Sequence, residues 1–222
     1  MFDHSELQRI WNCSHQEKTS SERPDEEIVA FAERLRQQLP TGVSLLDAGC
    51  GRGRNAIYLS QIGFAVYECD LSPVAVEIAR TRVQKASASA NFQVADLTRL
   101  PYPDNLFAAI VCVHVLPYHL AIDIARSVQE LQRVLRPNGW LYFDLLDHDD
   151  AKYRCGQELE KDTFLDPDGI PIHFSSKQEV SALTNGLTLQ RVARLELKSS
   201  VGTCARVAWV VWATKSDGQR LE

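Results

Sequence analysis

The residues best suited to chemistry stand at the ends of apolar runs. Leu45-Leu46-Asp47-Ala48 leads into Gly49-Cys50-Gly51-Arg52-Gly53-Arg54-Asn55, so an apolar strand meets an acidic residue and three alternating glycines. Glycine enters left-handed and crowded conformations closed to other residues, which leaves room for a ligand against the main chain. The stretch reads as a nucleotide-cofactor turn. A dinucleotide fingerprint, G-x-G-x-x-G/A, needs a small residue where this chain has Arg54, a side chain that obstructs close helix-strand packing. Asp70 ends a second apolar run about twenty positions on, where one carboxylate can accept from both hydroxyls of a ribose. Asp96 ends a third run and is placed to accept from the exocyclic amine of adenine, with Leu97 against the ring. Asp47 is set either to orient the glycine turn or to accept from a ligand ammonium. Candidate bases are His114, His119, His148 and His173, with Tyr118 as a hydrogen-bonding partner. His114, at the end of the fourth run, is the best placed.

These residues need a frame that gathers strand ends. Pro24-Asp25-Glu26-Glu27 opens a helix, since proline suits its first turn and carboxylates its positive end. Ile28, Phe31, Ala32, Leu35 and Leu39 follow at helical spacing. Strands are expected over 43–48, 64–69 and 91–95, with helices over 55–61 and from Ser72-Pro73 to about Ala86. The almost continuously apolar run 106–115 suits a central parallel strand buried on both faces. Ile124, Ala125, Val128, Leu131 and Leu135 then mark a helix, broken by Arg136-Pro137-Asn138-Gly139 before a strand over 140–146. Alternating strands and helices imply right-handed βαβ units on a parallel sheet, an α/β fold. From 147 to 174 the periodicity disappears, as in a loop or small lid. Ser176-Lys177-Gln178-Glu179 has the form of a capping box. Two closing strands, 187–197 and 205–214, joined through Ser199-Ser200-Val201-Gly202, must pair antiparallel. The expected organisation is one domain over 1–222, with a helical cap over 1–41 and a lid over 147–175.

Composition narrows the partners. The chain has 222 residues, 45% hydrophobic and 24% charged, with a net charge of −5 and no Lys/Arg run, so a nucleic-acid partner is not expected. No run of about eighteen apolar residues exists, so neither a membrane span nor a membrane partner is expected. The N-terminal stretch lacks an apolar core, and a soluble, cytoplasmic protein is the expectation. Six cysteines are scattered without a C-x-x-C pair, which argues against a metal. Cys69, Cys112 and Cys204 suit buried filler in a reducing compartment, and Cys50 is not a nucleophile. Acids crowd the lid at Asp147, Asp149, Asp150, Glu158, Glu160, Asp162, Asp166 and Asp168, which suits a cationic or neutral substrate.

Four motifs in order resemble those of class I S-adenosylmethionine-dependent methyltransferases, the Rossmann-like kind acting on small molecules. Leu45 to Gly53 is similar to the family's first motif and Tyr67-Glu68-Cys69-Asp70-Leu71-Ser72-Pro73 to its second. Ala95-Asp96-Leu97 is similar to its adenine contact, and Leu135 to Leu141 to the turn before strand five. Gly53-Arg54-Asn55 and His173-Phe174-Ser175-Ser176 resemble, more narrowly, tellurite-resistance and thiopurine-type methyltransferases. The resemblance covers about 25–146 and, more loosely, the closing strands. It implies a three-layer sandwich around a seven-stranded, mostly parallel sheet of order 3-2-1-4-5-7-6, with strand 7 antiparallel. It also implies S-adenosylmethionine as methyl donor, S-adenosylhomocysteine as product, no metal, and a small-molecule acceptor. Cofactor contacts would come from Asp47, Gly49, Gly51, Gly53, Asn55, Asp70, Leu71, Asp96, Leu97 and Val113. Trp11 and Arg23 would fold over the cofactor, with Arg23 pairing its carboxylate. His114 is the catalytic candidate, and Tyr118, His119, His148 and His173 are the substrate candidates. A monomer or homodimer would serve. Amino-methyltransferases of nucleic acids carry Asn/Asp-Pro-Pro-Tyr/Phe where this chain reads Val113-His114-Val115-Leu116-Pro117-Tyr118, which disfavours adenine and cytosine amines. The alternatives are a protein that binds S-adenosylmethionine without transferring its methyl and, behind it, an NAD(P)-dependent oxidoreductase.

Overall fold

The computed structural model describes residues 4–17, 23–197 and 206–217. Helix α1 (His4–Glu17) and helix α2 (Glu26–Arg36) precede β1 (Ser44–Ala48), α3 (Ala56–Gln61), β2 (Ala65–Asp70), α4 (Pro73–Lys85) and β3 (Ala90–Val94). There follow β4 (Phe107–Cys112), α5 (Ala121–Val134), β5 (Leu135–Leu146) and three short strands, β6 (Gln157–Glu160), β7 (Thr163–Leu165) and β8 (Pro171–His173). Helix α6 (Lys177–Leu183) leads to β9 (Leu187–Leu197) and β10 (Arg206–Lys215).

Local chemistry accounts for the helix starts. Asp25 caps α2 by accepting from the Glu27 amide at 3.1 Å, and the Ser72 hydroxyl caps α4 by accepting from Ala75 at 3.1 Å. The strands assemble as β3-β2-β1-β4-β5-β10-β9, the order expected for the seven-stranded sheet once β6–β8 are set aside. β1 pairs in parallel with β2 and β4, whereas β10 runs antiparallel to both β5 and β9. All six residues of β4 are buried, as a central strand covered on both faces requires. Alternate residues of one strand then serve two cores. Leu45, Ala109 and Val111 pack with Ile28, Phe31 and Leu35 of α2, while Leu46, Ile110 and Cys112 pack with Ile124, Val128 and Leu131 of α5. These are the three layers.

Four elements differ from the sequence reading. The stretch after β5 is a three-stranded antiparallel sheet, β6-β7-β8, around Leu146, Phe164, Ile172 and Phe174. Strands of three or four residues are too short to display a period of two. β5 begins at Leu135, because Leu135 pairs with Phe107 before the register shifts. Ser176 caps α6 by accepting from the Glu179 amide at 3.2 Å, but the Glu179 carboxylate turns to His173 at 2.9 Å, leaving half a capping box. Helix α1, expected only as part of a cap, is a regular 14-residue helix. Cys204, the link 199–202 and the end of the chain lie outside the described residues. Among the described residues no helix is long and apolar enough to cross a membrane.

Candidate functional site

The carboxyl ends of β1, β2 and β4 and the turn after β3 meet α1 around a cavity of about 200 Å³. Three glycines shape its floor, each with positive φ: Gly49 at 79°, Gly51 at 54° and Gly53 at 70°. A Cβ at Gly49 would lie 2.2 Å from Val115 Cγ2, and one at Gly53 2.7 Å from the Ala79 Cβ of α4. Gly53 therefore serves helix packing and does not line the cavity, which corrects its place among the cofactor contacts. A Cβ on Gly51 would meet nothing nearer than His15 Cε1 at 3.5 Å, so the backbone there borders open space.

Two carboxylates face this floor. Asp70 accepts from the Gly51 amide through Oδ2 and from the Ser72 amide through Oδ1, both at 2.8 Å, tying the glycine turn to the start of α4. Each oxygen keeps a lone pair for a further donor. Burial raises the Asp70 pKa against the pull of those amides and of His15. Asp96 accepts from the Thr98 amide and hydroxyl through Oδ1, both at 2.8 Å, and its Oδ2 lies 2.5 Å from His4 Nδ1. Burial pushes its pKa up, but Thr98 and His4 outweigh that and lower it. Leu71 and Leu97 complete this side. His119 hydrogen-bonds the Val115 carbonyl through Nδ1 at 3.1 Å, so Nδ1 carries the hydrogen. Burial lowers its pKa, which leaves a neutral ring with a lone pair on Nε2.

The β4–β5 side is held by charge. His114, with φ of 61°, donates its amide to Asp144 Oδ1 at 2.7 Å and sets Nδ1 3.1 Å from Asp144 Oδ2, in an ion pair misaligned for a straight hydrogen bond. Its Nε2 lies 3.2 Å from Asp25 Oδ2, which also receives Arg54 Nη2 at 3.1 Å. Arg206 reaches Asp144 at 2.8 Å and stands 3.3 Å from His114 Nε2. That nitrogen cannot donate to Asp25 and accept from Arg206 at once. Burial lowers the His114 pKa, but the two carboxylates outweigh burial and guanidinium together and raise it. The two carboxylates thus favour the protonated ring. A general base needs a free lone pair, so this geometry corrects the expectation that His114 abstracts a proton. Asp25 is held as a carboxylate: burial opposes ionisation, but His114 and Arg54 bring its pKa down to about 2.

Trp11, Gly49, Gly51, Asn55, Asp70, Leu71, Asp96, Leu97, Val113, His114, Tyr118 and His119 all border the cavity. Asp47, Arg23, His148 and His173 do not. Asp47 lies buried beneath the floor and accepts from Asn55 Nδ2 at 3.2 Å, so it orients the turn, and burial raises its pKa to about 6. Arg23 is exposed. His148 bonds the Phe174 carbonyl at 3.1 Å and stacks on Tyr153. His173 is buried between the Thr163 hydroxyl at 2.7 Å and Glu179, where it fastens the small sheet to α6. The acids of the lid are spent on structure as well. Asp147 and Asp149 pair with Arg194, Asp150 accepts from the Val207 amide, and Glu160 accepts from the Ala121 amide at the start of α5. None of the lid's acids borders the cavity, which removes the basis for expecting a cationic substrate.

Sequence reasoning expected a helical cap with Trp11 over the cofactor but did not name the other residues that α1 brings to the wall. His4, Leu7, Trp11 and His15 all border the cavity, and their spacing of three or four is a helical stripe legible in hindsight. It also missed Glu68, fully buried in β2, whose carboxyl oxygens have no hydrogen-bond partner among the described residues.

Residues 46–143 match the family described as "Methyltransferase domain". Over 162 residues the chain is 26% identical to the tRNA N(3)-cytidine methyltransferase METTL2 of Gallus gallus, covering 68% of this chain and 44% of that protein. It is 33% identical over 115 residues to the uncharacterized methyltransferase YodH of Bacillus subtilis, covering 51% of this chain and 48% of that one. The chain thus spans less than half the length of these curated relatives. Among solved structures, a SAM-dependent methyltransferase of Methanosarcina mazei superposes with a TM-score of 0.71 at 23% identity, covering 82% of this chain and 97% of that one. Magnesium protoporphyrin IX methyltransferase of Synechocystis with bound SAH gives a TM-score of 0.72 at 16% identity, covering 97% of this chain and 100% of that one. Strand order, glycine turn and family match agree: residues 46–143 match a methyltransferase domain, and the chain has the fold of the class I, Rossmann-like methyltransferases.

Proposed function

We propose that the protein transfers a methyl group from S-adenosylmethionine to a small-molecule acceptor by in-line displacement, releasing S-adenosylhomocysteine. The observation that carries this is the pair of carboxylates on successive strand ends, Asp70 and Asp96, set beside an open backbone at Gly51. Asp70 would accept from the ribose hydroxyls and Asp96 from the adenine amine, with Leu71 and Leu97 against the base. Arg54 and His114 line the opposite wall, where their N–H groups would meet the cofactor's carboxylate. The sulfonium, when bound, supplies an already activated methyl group. What the chain contributes is placement and dryness: Trp11 stands edge-on to Tyr118 at 5.5 Å and closes the acceptor side against water.

A small molecule suits this cavity better than tRNA, the acceptor named for the Gallus gallus relative. α1 covers the site, and the chain's net charge of −5 gives no attraction to a phosphate backbone. The five cysteines among the described residues are free, three of them buried, which fits a cytoplasmic setting. Methyl-labelled S-adenosylmethionine offered with a metabolite panel and, separately, with total tRNA tests the reading. Label is expected in small molecules and not in tRNA. Labelled tRNA would overturn the acceptor class, and cofactor binding without transfer to anything would favour a non-catalytic binding protein.

A further inference from the structure

The cavity under α1, about 200 Å³, is smaller than the roughly 300–1,000 Å³ of small-molecule sites, and α1 is what fills it. The helix is fastened along one stripe. Gln8 Nε2 donates to the Leu71 carbonyl at 2.8 Å, Asn12 Oδ1 accepts from the Ser72 hydroxyl at 2.6 Å, and Arg52 donates to the His15 carbonyl at 2.5 Å. The first fastening is different in kind, because His4 takes the one oxygen of Asp96 that Thr98 leaves open. With His4 Nδ1 2.5 Å from Asp96 Oδ2, an exocyclic amine must either share that oxygen's remaining lone pair or displace the imidazole from it. The other ring nitrogen of His4 already lies 3.4 Å from Asp123 Oδ2 on α5.

Resting on the cofactor reading above, we propose that His4 is a stand-in for the adenine amine: it occupies Asp96 in the free protein and yields that oxygen, keeping Asp123, when cofactor enters. No buried carboxylate is left unpaired in either state, and the fastenings at Gln8, Asn12 and His15 keep α1 seated over the ligand. Every charged group facing His4 bears on the exchange. These are Asp96 after β3, Asp123 on α5 with its partner Arg126 at 3.2 Å, and the neutral His119 ahead of α5. Burial lowers the His4 pKa, but Asp96 and Asp123 together raise it above its ordinary value. A raised histidine pKa means that the His4–Asp96 contact is complete below about pH 6.5 and is lost as pH rises through the raised value. Cofactor then binds more tightly at higher pH and displaces protons as it does so.

Calorimetric titration of S-adenosylhomocysteine into the full chain at about pH 6 and about pH 8, in buffers of differing ionisation enthalpy, reads this directly. Wild-type affinity is expected to rise by about fivefold between the two, with proton release, the scale of a half-exposed charge pair. His4→Ala is expected to bind at pH 6 as tightly as wild type does at pH 8, with no pH slope. His4→Lys, a permanent cation over this range, should stay at the weak level throughout. A pH slope that survives in His4→Ala would belong to the His15–Asp70 pair and would overturn the proposal, as would weaker binding by His4→Ala at pH 6. Failure of the wild type to bind S-adenosylhomocysteine at either pH would instead overturn the cofactor reading itself, and the proposal with it.

Discussion

The two sides of the cavity are built on different principles. On the β2–β3 side, Asp70 and Asp96 are placed by backbone: each follows a strand end, and each is gripped by amides one or two residues away or by the adjoining turn. On the β4–β5 side, Asp25, Arg54, His114, Asp144 and Arg206 come from five separate parts of the chain and are placed by one another. The first side is preformed by local geometry and keeps its shape if one side chain is lost. The second is a closed set of charges, in which removing one member leaves a buried partner without compensation.

The largest effect is therefore expected from Asp144→Asn. It removes the charge between His114 and Arg206, and chemical denaturation should show a loss of about 3 kcal/mol or more at neutral pH. The pH profile gives a second reading. Burial raises the Asp144 pKa, but His114 and Arg206 bring it below the ordinary value, so its stabilisation is present above about pH 3.9 and lost as pH falls through the depressed value. His114 works in the opposite sense, losing its contribution as pH rises through its raised pKa. Asp144→Asn should flatten both slopes, and an unchanged profile would mean the charges are not coupled as the distances imply.

On the other side, Asp70→Ala should weaken S-adenosylhomocysteine binding at least tenfold, or about 1.4 kcal/mol, with the cooperative unfolding transition retained. Unchanged calorimetric affinity would remove Asp70 from the ribose. The smallest change, and one of opposite sign, is expected at Glu68. Burial holds its pKa well above the ordinary range, so folding at neutral pH forces a proton onto a carboxyl group with no partner among the described residues. Glu68→Met should stabilise the fold by about 1 kcal/mol, with a gain that grows as pH rises above about 4.3. A loss at every pH would show that the carboxyl group has a structural role after all.

The same contrast explains what the sequence made legible. Gly49, Gly51, Asp70 and Asp96 announce themselves because each stands in a short pattern at the end of an apolar run, and spacing carries that information. Strand order came from the resemblance to class I methyltransferases, with which the βαβ rhythm and the antiparallel closing pair agree. The state of His114 could not be read, since it depends on Asp25 and Asp144, 89 and 30 residues away. His148 and His173 looked like site residues for the reverse reason: histidine type is visible in a sequence, but its hydrogen-bond partners are not. The bounds of α1 and the roles of His4 and His15 were not legible because its inward stripe is mostly polar, and hydrophobic periodicity is the signal by which helices are usually found.

The distribution of tryptophan has an optical consequence. Of the four tryptophans, Trp140, Trp209 and Trp212 stand on β5 and β10, fixed in or against the main sheet. Trp11 alone rides on α1, with its ring 5.7 Å from His15 and 5.5 Å from Tyr118 at the cavity. Indole emission that changes when a ligand enters should therefore come from that one residue. The chain carries an intrinsic fluorophore on the wall nearest the ligand, and a Trp11→Phe protein is the dark control against which ligand entry can be timed.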